Sequence, residues 1–240
     1  MLRLIRYTKP YIFQILLTIG LLFVQANADL ALPDYLSRIV NNGIQQGGVE
    51  NAVPLAIRQS QMERMLIFVD AAQKESITGS YTLVDQNSPD HAQYVEQYPI
   101  LAEEPVYVRQ ELDQETIDAL NPVMGRAILV VSTLEQAMAD PEKAAMLFQG
   151  SSDDLSQLPA GMDLFDVLPL LPPDRLAQLT QAIDEKFATL GDSMINQMAL
   201  AAVKVEYETL EMDLGQLQSS YILRTGGMML LISLLGGACT

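Results

Sequence analysis

The chain of 240 residues has no tryptophan, one histidine and one cysteine. The lone Cys239 excludes an intrachain disulfide, so any folded lobe rests on its apolar core. The lone His91 excludes a histidine-based zinc site. A Ser-His-Asp or Cys-His set would have to use it, and Asp90-His91 reads as a turn with a solvated imidazole. With tryptophan absent and aromatics sparse, an aromatic-lined groove or base-stacking platform is disfavoured. No lysine follows a glycine, so the phosphate loop G-x-x-x-x-G-K-[ST] is missing. Glu103-Glu104 and Asp153-Asp154 lack the calcium-loop pattern and read as solvated surface charge. The sequence therefore offers no catalytic, cofactor-binding or metal-ligating residue.

Positive charge is scarce and unevenly spread. The chain has 14 Lys and Arg against 30 Asp and Glu, with a net charge of −16. Residues 11–37 contain no Lys or Arg, and residues 225–240 carry no charge. All 30 acidic residues lie between Asp29 and Asp213, where only 10 of the basic ones fall, so the middle is net −20. Such a middle repels nucleic acid and anionic lipid.

The two apolar ends carry most of the topological information. Arg3, Arg6 and Lys9 precede the first run and hold that end in the cytoplasm under the positive-inside rule. Residues 11–32 supply the roughly 20 residues that a bilayer core requires, with Asp29 near the outer headgroups. The same opening, ending in Ala26-Asn27-Ala28, also fits a signal peptide cleaved after Ala28. The second run covers residues 225–240. Met228, Met229, Leu230, Leu231, Ile232, Leu234 and Leu235 fall on all faces, which suits lipid or a bundle interior. It is expected to be the start of a second membrane helix in which the chain ends, with Arg224 snorkelling to the outer interface. A glycolipid-anchor tail would need a polar spacer, whereas Ser219-Ser220 run straight into Tyr221.

Within the first span, Gln14, Gln25 and Asp29 fall within about 60° on a helical projection. Polar groups in an apolar helix usually face a bundle interior, so these three are candidate bundle-facing positions. For Asn27 and Asp29 the water interface is the simpler reading.

The middle reads as mostly helical. A helix is expected over 53–69, with Pro54 in its first turn and Ile57, Met62, Met65, Leu66 and Val69 near helical spacing. Ser88 is the expected N-cap of a short helix that stops at Pro99. Asp113 should cap a long helix that Pro122 interrupts or kinks. Within it, "AILVVSTL" also fits a short buried strand. Residues 140–174 are rich in turn residues and read as a flexible excursion. After Pro172-Pro173, Leu176, Leu179, Ile183, Phe187, Leu190, Met194, Met198, Ala201 and Val205 recur at helical period. Gly191 should end one helix, with Asp192 or Ser193 capping the next. The methionine-rich stripe reads as a core seam, the alternative being an adaptable binding surface.

The basic lead "LRLIRYTKPY", the apolar helix and "QANADLALPDYLSRIVNNGIQQGG" together resemble the amino terminus of bacterial ABC exporter half-transporters. The matching positions are Leu32, Pro33, Ile39, Asn41 and Gly43. A multidrug-type, often heterodimeric subgroup carries a large extracytoplasmic insert between its first two helices. "GDSMINQMALAAVKVEYETLEMD" and "SSYILRTGGMMLLISLLGG" look like the end of such an insert and the start of the second helix.

The resemblance implies a mainly α membrane protein. Its parts would be a cytoplasmic elbow segment (1–10), transmembrane helix 1 (11–32), its outward extension and loop (33–50), an extracytoplasmic helical insert (51–217) and the start of transmembrane helix 2 (218–240). It further implies a bacterial cytoplasmic membrane location, a second half-transporter subunit and a small amphipathic substrate. ATP and magnesium would belong only to a nucleotide-binding domain outside this chain, so the chain alone is not expected to be an enzyme. A membrane-anchored sensor with an external ligand domain shares the topology. A secreted acidic helical protein with a cleaved leader is the third reading.

Overall fold

The computed structural model describes residues 11–139, 164–170 and 172–239. Arg3, Arg6, Lys9, Asp153-Asp154 and most of the expected 140–174 excursion lie outside the described residues. The chain is mainly helical and divides into two compact units. One joins the chain up to Gly48 with the chain from Leu214 onward; the other is Val49–Asp213.

The first unit is a pair of long helices. Helix α1, Ile12–Arg38, runs without interruption through Pro33 and passes into a π-helical segment, Ile39–Gln45. Helix α9, Leu214–Ala238, packs along it.

The second unit contains a small sheet that the helical reading did not foresee. Strand β1 is Ala56–Arg58, β2 is Tyr81–Val84 and β3 is Val106–Arg109. They form an antiparallel sheet in the order β1-β3-β2, with Ile57 opposite Tyr107 and Leu83 opposite Tyr107 on the other side. The helix expected over 53–69 is thus corrected: its first part is extended, and α2 covers only Gln59–Leu66. The reason is a set of tertiary hydrogen bonds that fix Ala52–Leu55 in a non-helical path. Ala52 N donates to Asn121 Oδ1 at 2.7 Å, and Leu55 N donates to Tyr207 Oη at 2.7 Å. Tyr81 Oη donates to the Pro54 carbonyl at 2.8 Å and Arg109 Nη1 to the Val53 carbonyl at 2.6 Å. These partners satisfy a buried segment that has no ladder of its own.

Helix α3, Ala71–Gly79, starts at a capping box between Asp70 and Gln73, where each side chain meets the other's backbone N–H. Helix α4, His91–Gln97, is short and leads into a 3-10 turn at Pro99–Ala102. Ser88 does not cap it, contrary to expectation. Its hydroxyl instead accepts from Asp85 N and donates to Asp85 Oδ1, both at 2.9 Å. Helix α5, Gln114–Ala139, begins as expected, with Thr116 N donating to Asp113 Oδ1 at 2.8 Å. Pro122 does not interrupt it, and "AILVVSTL" is helical, not a strand. Ala127 through Val131 are all buried, so this stretch of α5 is enclosed on every side and needs no polar stripe.

Helix α6, Leu164–Val167, and a 3-10 turn at Leu168–Leu170 precede α7, Pro173–Ala188, and α8, Asp192–Thr209. Gly191 takes φ +76°, which an L side chain rarely adopts, and stands as the N-cap of α8 without a side-chain hydrogen bond. The expected capping by Asp192 or Ser193 is therefore replaced: Asp192 is already helical. Helix α8 lies close against α5, where a Cβ on Gly125 would come 3.4 Å from Ala199 Cβ.

Among the described residues three helices are long and apolar enough to cross a membrane, where the sequence reading counted two. They are α1 with its π extension, α5 and α9. Half of the most apolar window of α5 is buried inside the fold, against 6% for α1 and 17% for α9. The sequence signal missed this distinction because a helix packed into a core and a membrane helix can have the same composition.

Candidate functional site

The candidate site is the α1–α9 pair. On α1 and its π-helical extension, Gln25, Ala28, Leu32, Tyr35, Ile39 and Asn42 are half-buried and recur every three or four residues. On α9, Gln218, Tyr221, Thr225, Met229, Ile232 and Gly236 are half-buried or buried at the same spacing. A 3.5-residue period on both helices is the seam of a coiled-coil-like contact.

Two glycines fix the register. A Cβ on Gly43 would sit 2.9 Å from Ile222 Cγ1 and 3.4 Å from Tyr221 Cδ1. A Cβ on Gly236 would sit 3.3 Å from Ala28 Cβ. Moving back along α1 from Gly43 to Ala28 moves forward along α9 from Ile222 to Gly236. The helices are therefore antiparallel, and the two contacts are about 21–23 Å apart at 1.5 Å per residue.

The end of the pair at Gly43 and Gln218 is tightly knitted. A π turn misaligns carbonyls with their helical donors, and here Gln218 Nε2 donates to the Gly43 carbonyl at 3.0 Å. Gly48 N closes the turn onto the Asn42 carbonyl at 2.8 Å. Gly48 has φ +90°, and a Cβ there would lie 3.0 Å from the backbone of Leu217 and Gln218. Glycine is thus required twice, by the dihedral and by the neighbouring chain.

The positions singled out in the sequence are distributed along this pair. Leu32 and Ile39 are half-buried on the seam, Gly43 is its closest approach, Pro33 is exposed within α1, and Asn41 is exposed with Nδ2 donating to Ser37 Oγ at 3.1 Å. Gln25 is half-buried on the seam and Asp29 lies at its edge, 3.9 Å from a Cβ built on Gly236. Gln14 is exposed, about 21 Å farther along α1 than Ala28. Asn27 Nδ2 donates to the Phe23 carbonyl at 2.7 Å, which meets part of its polar demand within the helix. Sequence reasoning missed Gln218 and Gly48. The "QQGG" turn signal was visible, but the partner of a long-range side-chain bond was not.

The register also offsets the two uncharged stretches. Helix α9 beyond Arg224 lies beside the part of α1 that carries Asp29, Asp34 and Arg38, the last two paired at 3.0 Å. The uncharged part of α1, Ile12–Ala28, extends past that contact. From Leu32 to Ile44 and on the facing part of α9 the pair exposes apolar and polar groups together, with Leu36 54%, Ile44 58%, Leu223 75% and Leu230 59% exposed beside Asp34 and Arg38.

The second unit holds buried polar groups, and they are structural in geometry. Glu206, 2% exposed, accepts from Arg58 N at 2.8 Å and from Arg58 Nη2 at 2.7 Å. Burial acts to lower the Arg58 pKa, but the Glu206 hydrogen bond and charge raise it on balance. Burial pushes Tyr98 up to about 12 and holds Tyr81 and Tyr207 well above the ordinary tyrosine value. Among the described residues no three His, Cys, Asp or Glu side chains gather as a metal site would require. No known protein family, curated protein or solved structure matches the chain.

Proposed function

We propose that the chain is the amino-terminal part of the transmembrane domain of an ATP-driven ABC exporter of multidrug type. In this reading α1 and α9 are its first two membrane helices and residues 49–213 face outward from a bacterial cytoplasmic membrane. The single observation that carries the reading is the antiparallel seam, which runs on from the apolar part of α1 to Gly43 and Gln218. A hydrocarbon core of about 30 Å holds about 20 helical residues, and α1 with its π extension is 34 residues long. The excess is the outward extension that the resemblance implies.

The continuous helix through Ala28 supports retention of the first span. Cleavage after Ala28 would cut α1 and remove the residue that meets Gly236. The burial of half of the most apolar stretch of α5 inside its own unit, against 6% for α1, supports a two-span arrangement. The exposed leucines outward of Leu32 would be covered by further helices of the transporter. ATP and magnesium would act in its nucleotide-binding domain, and a second half-transporter and a small amphipathic substrate complete the system.

Protease added to intact cells tests the topology. Cleavage within residues 50–215 is expected, and protection of that whole stretch overturns the reading. The coding sequence beyond Thr240 tests the family. A G-x-x-x-x-G-K-[ST] site about 250–350 residues on is expected; a kinase or methyl-accepting coiled coil there refutes it.

A further inference from the structure

The segments Tyr35–Ile39 on α1 and Tyr221–Thr225 on α9 share one pattern, a tyrosine followed three residues later by an arginine. Among the described residues of the helix pair, Arg38 and Arg224 are the only lysines or arginines. Each stands one residue before a seam position and three after another, between Tyr35 and Ile39 on α1 and between Tyr221 and Thr225 on α9. Each guanidinium also lies 5.8 Å from the ring centre of its own tyrosine. Equal offsets from the seam fall on the same side of an antiparallel pair, so both arginines stand on one side of it.

The register set by Gly43 and Gly236 puts Arg38 level with Gly226–Gly227 and Arg224 level with Val40–Asn41. Along the pair the order is therefore Tyr35, Arg38, Arg224, Tyr221. The arginines are offset by about 3–5 Å along the axis, on helices about 8–10 Å apart. Two planar guanidiniums on one side suit a single phosphate-like oxyanion. Asp34 pairs with Arg38 at 3.0 Å, but both side chains are more than half exposed, and such a pair is weak enough for an oxyanion to displace.

The same face of α9 selects what carries the oxyanion. Met228, Leu231 and Leu235 follow Arg224 at four, seven and eleven residues and are 50%, 57% and 60% exposed. This apolar track leads from the arginines to the level of Asp29 and Leu30. A soluble anion has no use for it. A bilayer headgroup does not reach the arginines: Arg38 is nine residues beyond Asp29, about 14 Å, whereas headgroups extend roughly 5–8 Å from the hydrocarbon core.

We propose that Arg38 and Arg224 bind the oxyanion head of a single-tailed amphiphile whose tail lies along Met228, Leu231 and Leu235. The inference rests on the export reading, whose small amphipathic substrate it gives a negative head. Binding is measured without transport, so its failure strikes the charge of the substrate and leaves the protease and coding-sequence tests of that reading standing.

The full chain in a non-ionic detergent is titrated with radiolabelled dodecyl phosphate and passed rapidly over gel filtration, with uptake by protein-free micelles subtracted. Arg38→Gln with Arg224→Gln should weaken binding at least ten-fold while circular dichroism stays unchanged, because both side chains are exposed. Asp34→Asn should tighten binding several-fold by releasing Arg38, a gain that misfolding cannot produce. Met228→Asn with Leu231→Asn should weaken it several-fold. Inorganic phosphate and dodecyltrimethylammonium should each bind at least ten-fold more weakly than dodecyl phosphate. Equal binding by the arginine variant overturns the proposal, as does unchanged affinity in the Asp34 or asparagine-track variants, or tighter binding of the cation. Inorganic phosphate bound as tightly as dodecyl phosphate overturns it in favour of a soluble anion. Arginine-dependent retention of a two-chain phosphate lipid in zwitterionic vesicles overturns it in favour of the bilayer.

Discussion

Removing Glu206 should be the most damaging single change in the second unit. The side chain is 2% exposed and that of Arg58 is 21% exposed. Besides the two short bonds, Arg58 Nε lies 3.1 and 3.2 Å from its two oxygens. Glu206→Ala therefore strands a half-buried guanidinium and the backbone N–H at the end of β1. Breaking a buried pair on one side costs about 3–5 kcal/mol. The lower end applies here, because Glu104 remains 3.6 Å from Arg58 Nε. For a unit of this size each kcal/mol shifts the melting point by roughly 2–4 °C, so a drop of about 6–12 °C is expected. Near-ultraviolet circular dichroism of the buried tyrosines follows this unit in the detergent-solubilised chain. The control is Arg58→Met with Glu206→Leu, which removes both charges and should recover most of the loss. A fall of under about 2 °C for Glu206→Ala, or a double variant as unstable as the single one, would refute the argument.

The glycine-set register predicts that Ala28→Cys with Gly236→Cys, in a Cys239→Ser background, forms an intrachain disulfide in membranes; cross-linking at Ala28 with Cys at 222 instead would contradict it. Gly43→Leu should loosen the pair by about 1–3 kcal/mol through overpacking, read as reduced yield of that same disulfide. In an alkaline absorbance titration, Tyr81, Tyr98 and Tyr207 should stay protonated above pH 10, the ordinary tyrosine value. Their folded pKa values are raised, so the stability they contribute is full below about pH 10 and is lost as pH rises toward 12; a single titration step near 10 in the folded chain would be inconsistent with their burial. Cysteine placed at Leu22 should be shielded by lipid from a water-soluble thiol reagent, whereas one at Leu36 or Leu230 should react in this chain alone; equal shielding at all three would disprove the offset between the two uncharged stretches.

Local chemistry was legible where it depended on neighbours in sequence. Asp113 capped its helix, and Gly191 separated two helices, because both signals act within one turn. The strands were not legible. Beta pairing joins residues that are far apart, and "AIR", "YTLV" and "VYVR" are too short to show a firm alternation. Ile57 looked helical by spacing until Tyr107 was known to lie opposite. Glu206 looked like one more surface acid in "VEYETLEMD", and nothing nearby announced that Arg58 would meet it. The stripe was read correctly as periodic and wrongly as one seam. Gly191, with φ +76°, resets the direction of the helix, so Ile183 and Phe187 turn inward while Met194 and Met198 turn outward.

In the helix pair, hydropathy and register give different information, and both are needed. Taken separately, each apolar run looks like an independent membrane span. Taken through Gly43 and Gly236, the runs are neighbours that do not share one level. A slab about 30 Å thick placed on the uncharged part of α1 leaves the first turns of α9 beyond Arg224 above its outer edge. A slab placed on α9 would instead immerse Asp29, Asp34 and Arg38, at a cost of several kcal/mol. The first placement is therefore preferred. It leaves Leu36, Ile44, Leu223 and Leu230 exposed beyond the slab, on the stretch that also exposes Asp34 and Arg38.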